Sequence, residues 1–186
     1  MMSLPTITQR ETSHAYFSQL RQIPDHSGRN LHRPASDRRT GAARPLDRGR
    51  TRVVKLALDA RSDPQTVRAA NEAWLEQWIN DVPDFMFKPE AVASWCIRSA
   101  RGEMRKVVRF QYGASALAYQ IEHNLPDPQK AADVSAVSLA GLEGVLAAYE
   151  TLVAKDADSR SPKMDEALAR RSKGELAAFA AEIAAR

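Results

Sequence analysis

Apolar residues recur at intervals of three and four from residue 53 onward, which is the spacing of one face of an α-helix. A helix is predicted to start at the Ser-Asp-Pro run of residues 62–64, because an acidic cap followed by proline favours a helix start, and to stop at Pro83. Its apolar positions are Val67, Ala70, Trp74, Leu75, Trp78 and Ile79. A further helix is expected from the Lys-Pro-Glu run of residues 88–90, with Gly102 as an interruption or a bend.

The second half of the chain continues this helical pattern. The longest predicted helix covers residues 103–124 and ends at the prolines of residues 125–128. Its predicted inner face consists of Met104, Val108, Tyr112, Ser115 and Tyr119. Another helix is predicted over residues 138–154, and the alanine-rich residues 163–186 indicate one or two helices around Gly174. Since no strand alternation persists anywhere, the predicted fold is all-α, with a helical bundle as its core.

The N-terminal residues differ in composition from this helical part. Residues 11–23 predict a short helix, whereas residues 26–52 hold prolines and glycines with few large apolar groups and are predicted to be a linker. We therefore expect three parts: a basic N-terminal arm (residues 1–52), a helical core domain (residues 53–158) and a C-terminal helical tail (residues 159–186). The pattern leaves open whether that tail packs on its own body or on another subunit.

The positive charge of the protein is concentrated in the predicted arm. The 186 residues carry a formal net charge of +4, from 27 basic and 23 acidic residues. Residues 1–52 hold ten arginines, no lysine and four acids, so the excess positive charge lies there and is entirely arginine. Because arginine suits phosphate binding, we expect a polyanion to bind this arm; a solvated tail is the alternative. The candidate residues in the arm are Arg38, Arg39, Arg44, Arg48, Arg50 and Arg52.

Four arginines of the body are spaced by three, four and four residues, and a lysine lies beside them. They are Arg98, Arg101, Arg105 and Arg109, with Lys106 as the lysine. On one continuous helix all four would share a face, where regularly spaced guanidinium groups could each bind a phosphate. The alternative is a solvated face, or ion pairs with acids of neighbouring helices.

The aromatic and small residues are predicted to serve packing. The three tryptophans, Tyr112 and Tyr119 are expected in the core rather than as platforms for nucleic-acid bases, since the spacing of Trp74 and Trp78 places both on one helix face. The small residues within 112–119 favour close approach of another helix, and the alternative is close approach of a polymer.

No combination of residues predicts catalysis or metal binding. The four histidines show no HExxH or Cys/His spacing, and the only cysteine, Cys96, is expected to be a small core residue. The glycines at 141 and 144 lie in an apolar helical pattern, not after a strand, so they do not indicate a phosphate loop. We therefore predict no enzyme activity, no cofactor and no metal. A single cysteine also excludes an internal disulfide and suits a reducing compartment.

Neither secretion nor membrane insertion is expected from the sequence. The longest uninterrupted apolar runs are much shorter than the roughly 18–20 residues that span a bilayer. Residues 1–10 lack a basic stretch followed by an apolar one, so no secretory signal is predicted.

A series of motifs in residues 74–142 resembles the coat proteins of filamentous plant RNA viruses. The series consists of Trp74 and Trp78, then Trp95-Cys96-Ile97, then Arg105, Arg109-Phe110, Tyr112 and Tyr119, then Asn124 and Pro126. Residues 137–142 are also similar to part of a rod-shaped coat protein of the beet-infecting benyvirus type. The chain departs from the flexible members in lacking their aromatic-aspartate-aromatic element near the C-terminal part.

This resemblance implies a helical core, an arm that reaches a neighbouring subunit, RNA in a groove and helical polymerisation. The expected function is therefore a coat or nucleocapsid protein that self-associates and packages single-stranded RNA without regard to sequence, in a virion or the host cytoplasm. The alternative is a helical regulatory protein of a phage, plasmid or bacterium that binds a protein partner or DNA.

Overall fold

The computed structural model describes residues 45–82, Phe85 and residues 90–186, with side chains from residue 47 onward. The predicted helix over residues 11–23 therefore lies outside the described residues. The part of the chain that is described forms seven packed α-helices and no strand, which confirms the all-α prediction. The helices are α1 (Pro45–Ser62), α2 (Pro64–Asp81), α3 (Ala91–Ser99), α4 (Gly102–Glu122), α5 (Ala131–Lys155), α6 (Pro162–Ser172) and α7 (Leu176–Ala184).

Most helix boundaries lie where the proline and glycine signals place them. Asp63 occupies the N-cap position of α2, although its side chain makes no capping hydrogen bond. Pro64 is the first residue of α2, and the helix ends at Asp81, two residues before Pro83. The C-terminal residues form two helices, because Gly174 adopts φ 74° between α6 and α7. Helix α5 begins earlier than predicted: its first turns are largely exposed, so the apolar pattern did not indicate them.

The predicted linker over residues 26–52 is wrong for its last part. Helix α1 runs from Pro45, so the boundary expected after residue 52 lies inside a helix. Val53 and Ala57 of α1 are buried against α4 and anchor it, while proline is favoured in a first turn and arginine is a good helix former. The apolar pattern missed this segment because its side chains are polar.

Helix α4 is the central helix and separates two clusters of buried side chains. On one side it contacts α3 and α5, and its buried side chains belong to the larger core cluster, to which α6 and α7 also contribute. Tyr112, Leu142 and Phe179 are buried in this cluster. On its other side it packs with α1 and α2, where Phe110 and Leu117 are buried with Trp78. The inner face predicted for α4 includes residues that are buried in the first cluster. The prediction missed the residues of α4 that are buried in the second cluster. The C-terminal helices pack on α3 and α5 of the same chain.

The small residues of α4 allow close packing against α5, as the sequence indicated. A Cβ atom placed on Gly141 would lie 2.7 Å from the Tyr112 ring. A Cβ atom placed on Gly144 would lie 2.6 Å from the Cβ of Ser115. Both separations are shorter than van der Waals contact, so the two helices can approach this closely only with glycine at these positions.

Helix α5 bears on the expectation that no segment spans a membrane, which stays a prediction. Among the described helices, this 25-residue helix alone is long and apolar enough by length and composition, with a mean hydropathy of 1.4. The same composition suits the core helix of a bundle, and α5 contacts all six other helices of the described part.

Candidate nucleic-acid interface

The arginines at 98, 101, 105 and 109 do not lie on one continuous helix. Helix α3 ends at Ser99, and α4 begins at Gly102, whose φ of 52° turns the chain between them. The Ser161 hydroxyl donates to the Ser99 carbonyl over 2.7 Å, so the connection is tied to the segment that precedes α6. The condition for a single arginine face is therefore not met.

Three of these arginines nevertheless surround the break, and we call them the junction arginines: Arg98, Arg101 and Arg105. Arg98 lies in the last turn of α3, Arg101 caps α4, and all three are exposed. Among the described residues, none of the three has a carboxylate within 4 Å. The Arg105 Nε donates to the Ala100 carbonyl over 3.1 Å, which orients its guanidinium group and leaves the terminal nitrogens for another acceptor.

The other two predicted residues of this region are paired with acids. The Lys106 Nζ lies 2.6 Å from the Glu103 carboxylate. Arg109 lies 3.1 Å from Glu72 and 3.9 Å from Glu76, both on α2. For Arg109 the structure thus shows the alternative of ion pairs with a neighbouring helix.

A single residue of α2 joins these pairs into one array. Arg68 lies 2.6 Å from Glu72 and 3.1 Å from Glu103, so it connects the two carboxylates. The hydrogen bond and charge of Lys106, together with Arg68, lower the pKa of Glu103. We call this array the α2–α4 ion-pair network. Its members are Arg68, Glu72, Glu76, Glu103, Lys106 and Arg109.

The arginines predicted for the arm divide into two groups. Three of them, Arg38, Arg39 and Arg44, lie outside the described residues. The others belong to α1: Arg48 is exposed, the Arg50 guanidinium lies 4.9 Å from the centroid of the Phe85 ring, and the Arg52 guanidinium lies 3.8 Å from that of Trp74. Sequence reasoning missed these stacked pairs, because nothing in the pattern connects positions so far apart in the chain.

The aromatic residues are mostly packed inside, as predicted. Trp78, Trp95 and Tyr112 are buried, and Trp95 meets Phe179 edge to face with ring centroids 5.4 Å apart. Trp74 differs because it is only half-buried, with Arg52 over its ring. Trp74 is therefore the most solvent-accessible of the three tryptophans.

Cys96 is a core residue, as the sequence indicated. Burial raises the pKa of its thiol far above the ordinary value, and the charge of Glu90 adds to this effect. Glu90 accepts hydrogen bonds from the Tyr112 hydroxyl, over 2.6 Å, and from the Ser138 hydroxyl. A buried thiol that stays protonated does not act as a nucleophile. The two hydrogen bonds of Glu90 join the start of α3 to α4 and α5.

A shallow depression of about 520 Å³ lies between α5 and α6. The Tyr149 hydroxyl beside it accepts from the Ser161 N–H and donates to the Asp165 carboxylate, each over 2.8 Å. Burial raises the pKa of Tyr149, and the bond to Asp165 contributes. These polar groups satisfy one another. Within the described residues, no group of three or more His, Cys, Asp or Glu side chains could hold a metal ion.

Comparison of the chain with models of protein families, with characterised proteins and with solved structures finds no match.

Proposed function

We propose that this chain binds the backbone of single-stranded RNA as a coat- or nucleocapsid-type protein. The observation that carries the proposal is a difference among the basic residues at and after the α3–α4 break. Lys106 and Arg109 are paired with carboxylates, whereas the junction arginines are exposed and have none among the described residues. A guanidinium group that is not paired with a carboxylate can bind a phosphate through two parallel hydrogen bonds.

The arginines in the N-terminal part of the chain support the same phosphate-binding chemistry. Residues 1–52 hold ten arginines against four acids, which raises the local concentration of any polyanion. Contacts between arginines and the phosphate backbone of a nucleic acid carry little information about its base sequence. Binding is therefore expected to be independent of sequence and strongly dependent on salt.

The assembly part of the proposal is supported by the resemblance to filamentous coat proteins. Helices α6 and α7 complete the larger core cluster within the same chain. Contacts between subunits would therefore use the outer surface of the bundle or the residues before Pro45, and the helices could remain folded as they are.

The binding part is tested by replacing the three junction arginines with glutamine. The expected result is at least tenfold weaker binding of a single-stranded oligomer of about 20 nucleotides, with the slope of log affinity against log salt shallower by about 2, since each lost phosphate contact contributes about 0.7. The measurement is fluorescence anisotropy over salt concentrations of about 50 to 300 mM.

The matched control removes equal charge elsewhere by replacing three exposed lysines, Lys130, Lys163 and Lys173, with glutamine. If both triple variants lose the same affinity, general surface charge explains binding and the proposed site is wrong. Negative-stain imaging and the nucleic-acid absorbance of the purified protein test assembly. Filaments containing nucleic acid support the proposal, and small particles without it favour the regulatory-protein hypothesis.

A further inference from the structure

The half-buried Trp74 forms a layered arrangement at the surface of α2. Its ring stacks on that of Trp78, with centroids 6.4 Å apart and planes inclined by 26°. The Arg52 guanidinium lies over Trp74 at 3.8 Å from the ring centroid, a stacking distance. Arg52 is exposed to solvent although Trp74 covers one face of its guanidinium group.

Arg52 is held in this position by hydrogen bonds. A terminal nitrogen of Arg52 donates to the Asn71 side-chain oxygen over 2.9 Å. The Asn71 amide nitrogen in turn donates to the Val67 carbonyl over 2.9 Å, which orients the asparagine. The guanidinium plane is therefore ordered before any ligand arrives, so a ligand that stacks on it loses less conformational entropy in binding.

The neighbouring arginines of α1 lack this combination. Arg50 lies over Phe85, a ring only 2% exposed, and its own side chain is half-buried. Arg48 is exposed, but no aromatic ring of the described residues lies beneath it. Of these three arginines, Arg52 combines exposure to solvent with a guanidinium plane that is held by a ring and a hydrogen bond.

We propose that the face of the Arg52 guanidinium group opposite Trp74 is a stacking site for a base of single-stranded nucleic acid, with Trp74 as its support. This inference rests on the proposed function and adds a second kind of contact to it. Every base has a π-face that can stack on a guanidinium plane, so the site tolerates any sequence. A base inside a duplex is already stacked on its neighbours, so the site selects single strands over duplexes.

The test compares Arg52→Lys with Arg160→Lys, because both variants keep the charge and only the first removes a guanidinium plane that lies over an aromatic ring. Arg160 is exposed and is not among the proposed binding residues. We expect Arg52→Lys to weaken binding of a single strand about five- to tenfold, and binding of a duplex of the same sequence less than about twofold. Arg160→Lys is expected to leave both affinities within about twofold of the wild type. The measurement is fluorescence anisotropy at one fixed salt concentration, with circular dichroism as the check on folding.

A third variant, Asn71→Ala, keeps Arg52 but removes its tether, and we expect a smaller loss of single-strand binding. Equal effects of Arg52→Lys and Arg160→Lys, or equal losses for single strand and duplex, overturn the stacking site. In that case the proposed function stands if the junction arginines still determine affinity. A wild-type chain that binds neither oligomer overturns both.

Discussion

Single residues determine how closely α4 and α5 approach. Gly144 lies opposite Ser115, and the Gln111 amide nitrogen is 3.1 Å from where a Cβ on Gly144 would lie. Gln111 donates to the Ala57 carbonyl over 3.0 Å and to the Ser115 hydroxyl over 2.9 Å, so it is held on both sides. Neither neighbour of Gly144 is free to move aside. Gly113, which is also inside a helix, has open space around it.

Two glycine-to-alanine variants are therefore expected to have opposite effects. Gly144→Ala should lower the free energy of unfolding by about 1–3 kcal/mol, because the added methyl group overpacks the contact with Ser115. Gly113→Ala should raise it by about 0.5–1 kcal/mol, because alanine favours the helix. Urea unfolding of both variants is the measurement, and a stable Gly144→Ala protein would contradict the packing described here.

At the scale of elements, α2 is attached to α4 by charge as well as by packing. Glu72 is the central group of the α2–α4 ion-pair network, since its two carboxylate oxygens contact Arg68 and Arg109 separately. Its side chain is 25% exposed, whereas that of Glu76 is 59% exposed and lies 3.9 Å from Arg109. Ion pairs gain strength as solvent is excluded, so Glu72 should contribute more than Glu76.

Replacing each glutamate with glutamine tests this difference. Glu72→Gln is expected to lower the free energy of unfolding by about 1–2 kcal/mol, because it removes the carboxylate charge that both Arg68 and Arg109 contact. Glu76→Gln is expected to change it by less than about 0.5 kcal/mol. Urea unfolding at low salt and at about 0.5 M salt is the measurement, and the gap between the variants should narrow as salt screens the charges. Equal effects would show that the network does not attach α2 to α4.

At the scale of the whole molecule, the larger core cluster holds three weak acids in their neutral form. Burial raises the pKa values of Cys96, Tyr112 and Tyr149 above their ordinary values of 9.0, 10.0 and 10.0. The unfolded chain would ionise at those ordinary values, while the folded chain would keep its protons. Below pH 9 both states are protonated and these groups add no pH dependence.

Stability is therefore expected to fall on the alkaline side. Above pH 9 the unfolded state releases the Cys96 proton first, and each such group lowers the free energy of unfolding by up to about 1.4 kcal/mol per pH unit. Cys96→Ala should move the onset of the decline to about pH 10, where the tyrosines begin to ionise. Urea unfolding between pH 7 and about 11 measures the profile, and an unchanged onset in the variant would contradict this origin.

The candidate site could be predicted only in part. Exposed arginines near residues 98–105 were expected from spacing, and the structure places them around the α3–α4 break. The pairing of Arg109 with acids was not predictable, because its partners Glu72 and Glu76 lie far from it in the chain. The contact of Arg52 with Trp74 was missed for the same reason: it needs α1, whose first turns carry no apolar pattern.

The sequence by itself determined the all-α class, the packing role of most aromatic residues and the bounds of α2 near Pro64 and Pro83. Those are local properties, since proline, glycine and apolar spacing act within one or two turns. Only the tertiary structure decided which basic residues are paired and which are exposed, and that the C-terminal helices pack on their own chain. These outcomes depend on groups brought together from distant positions, which no local pattern contains.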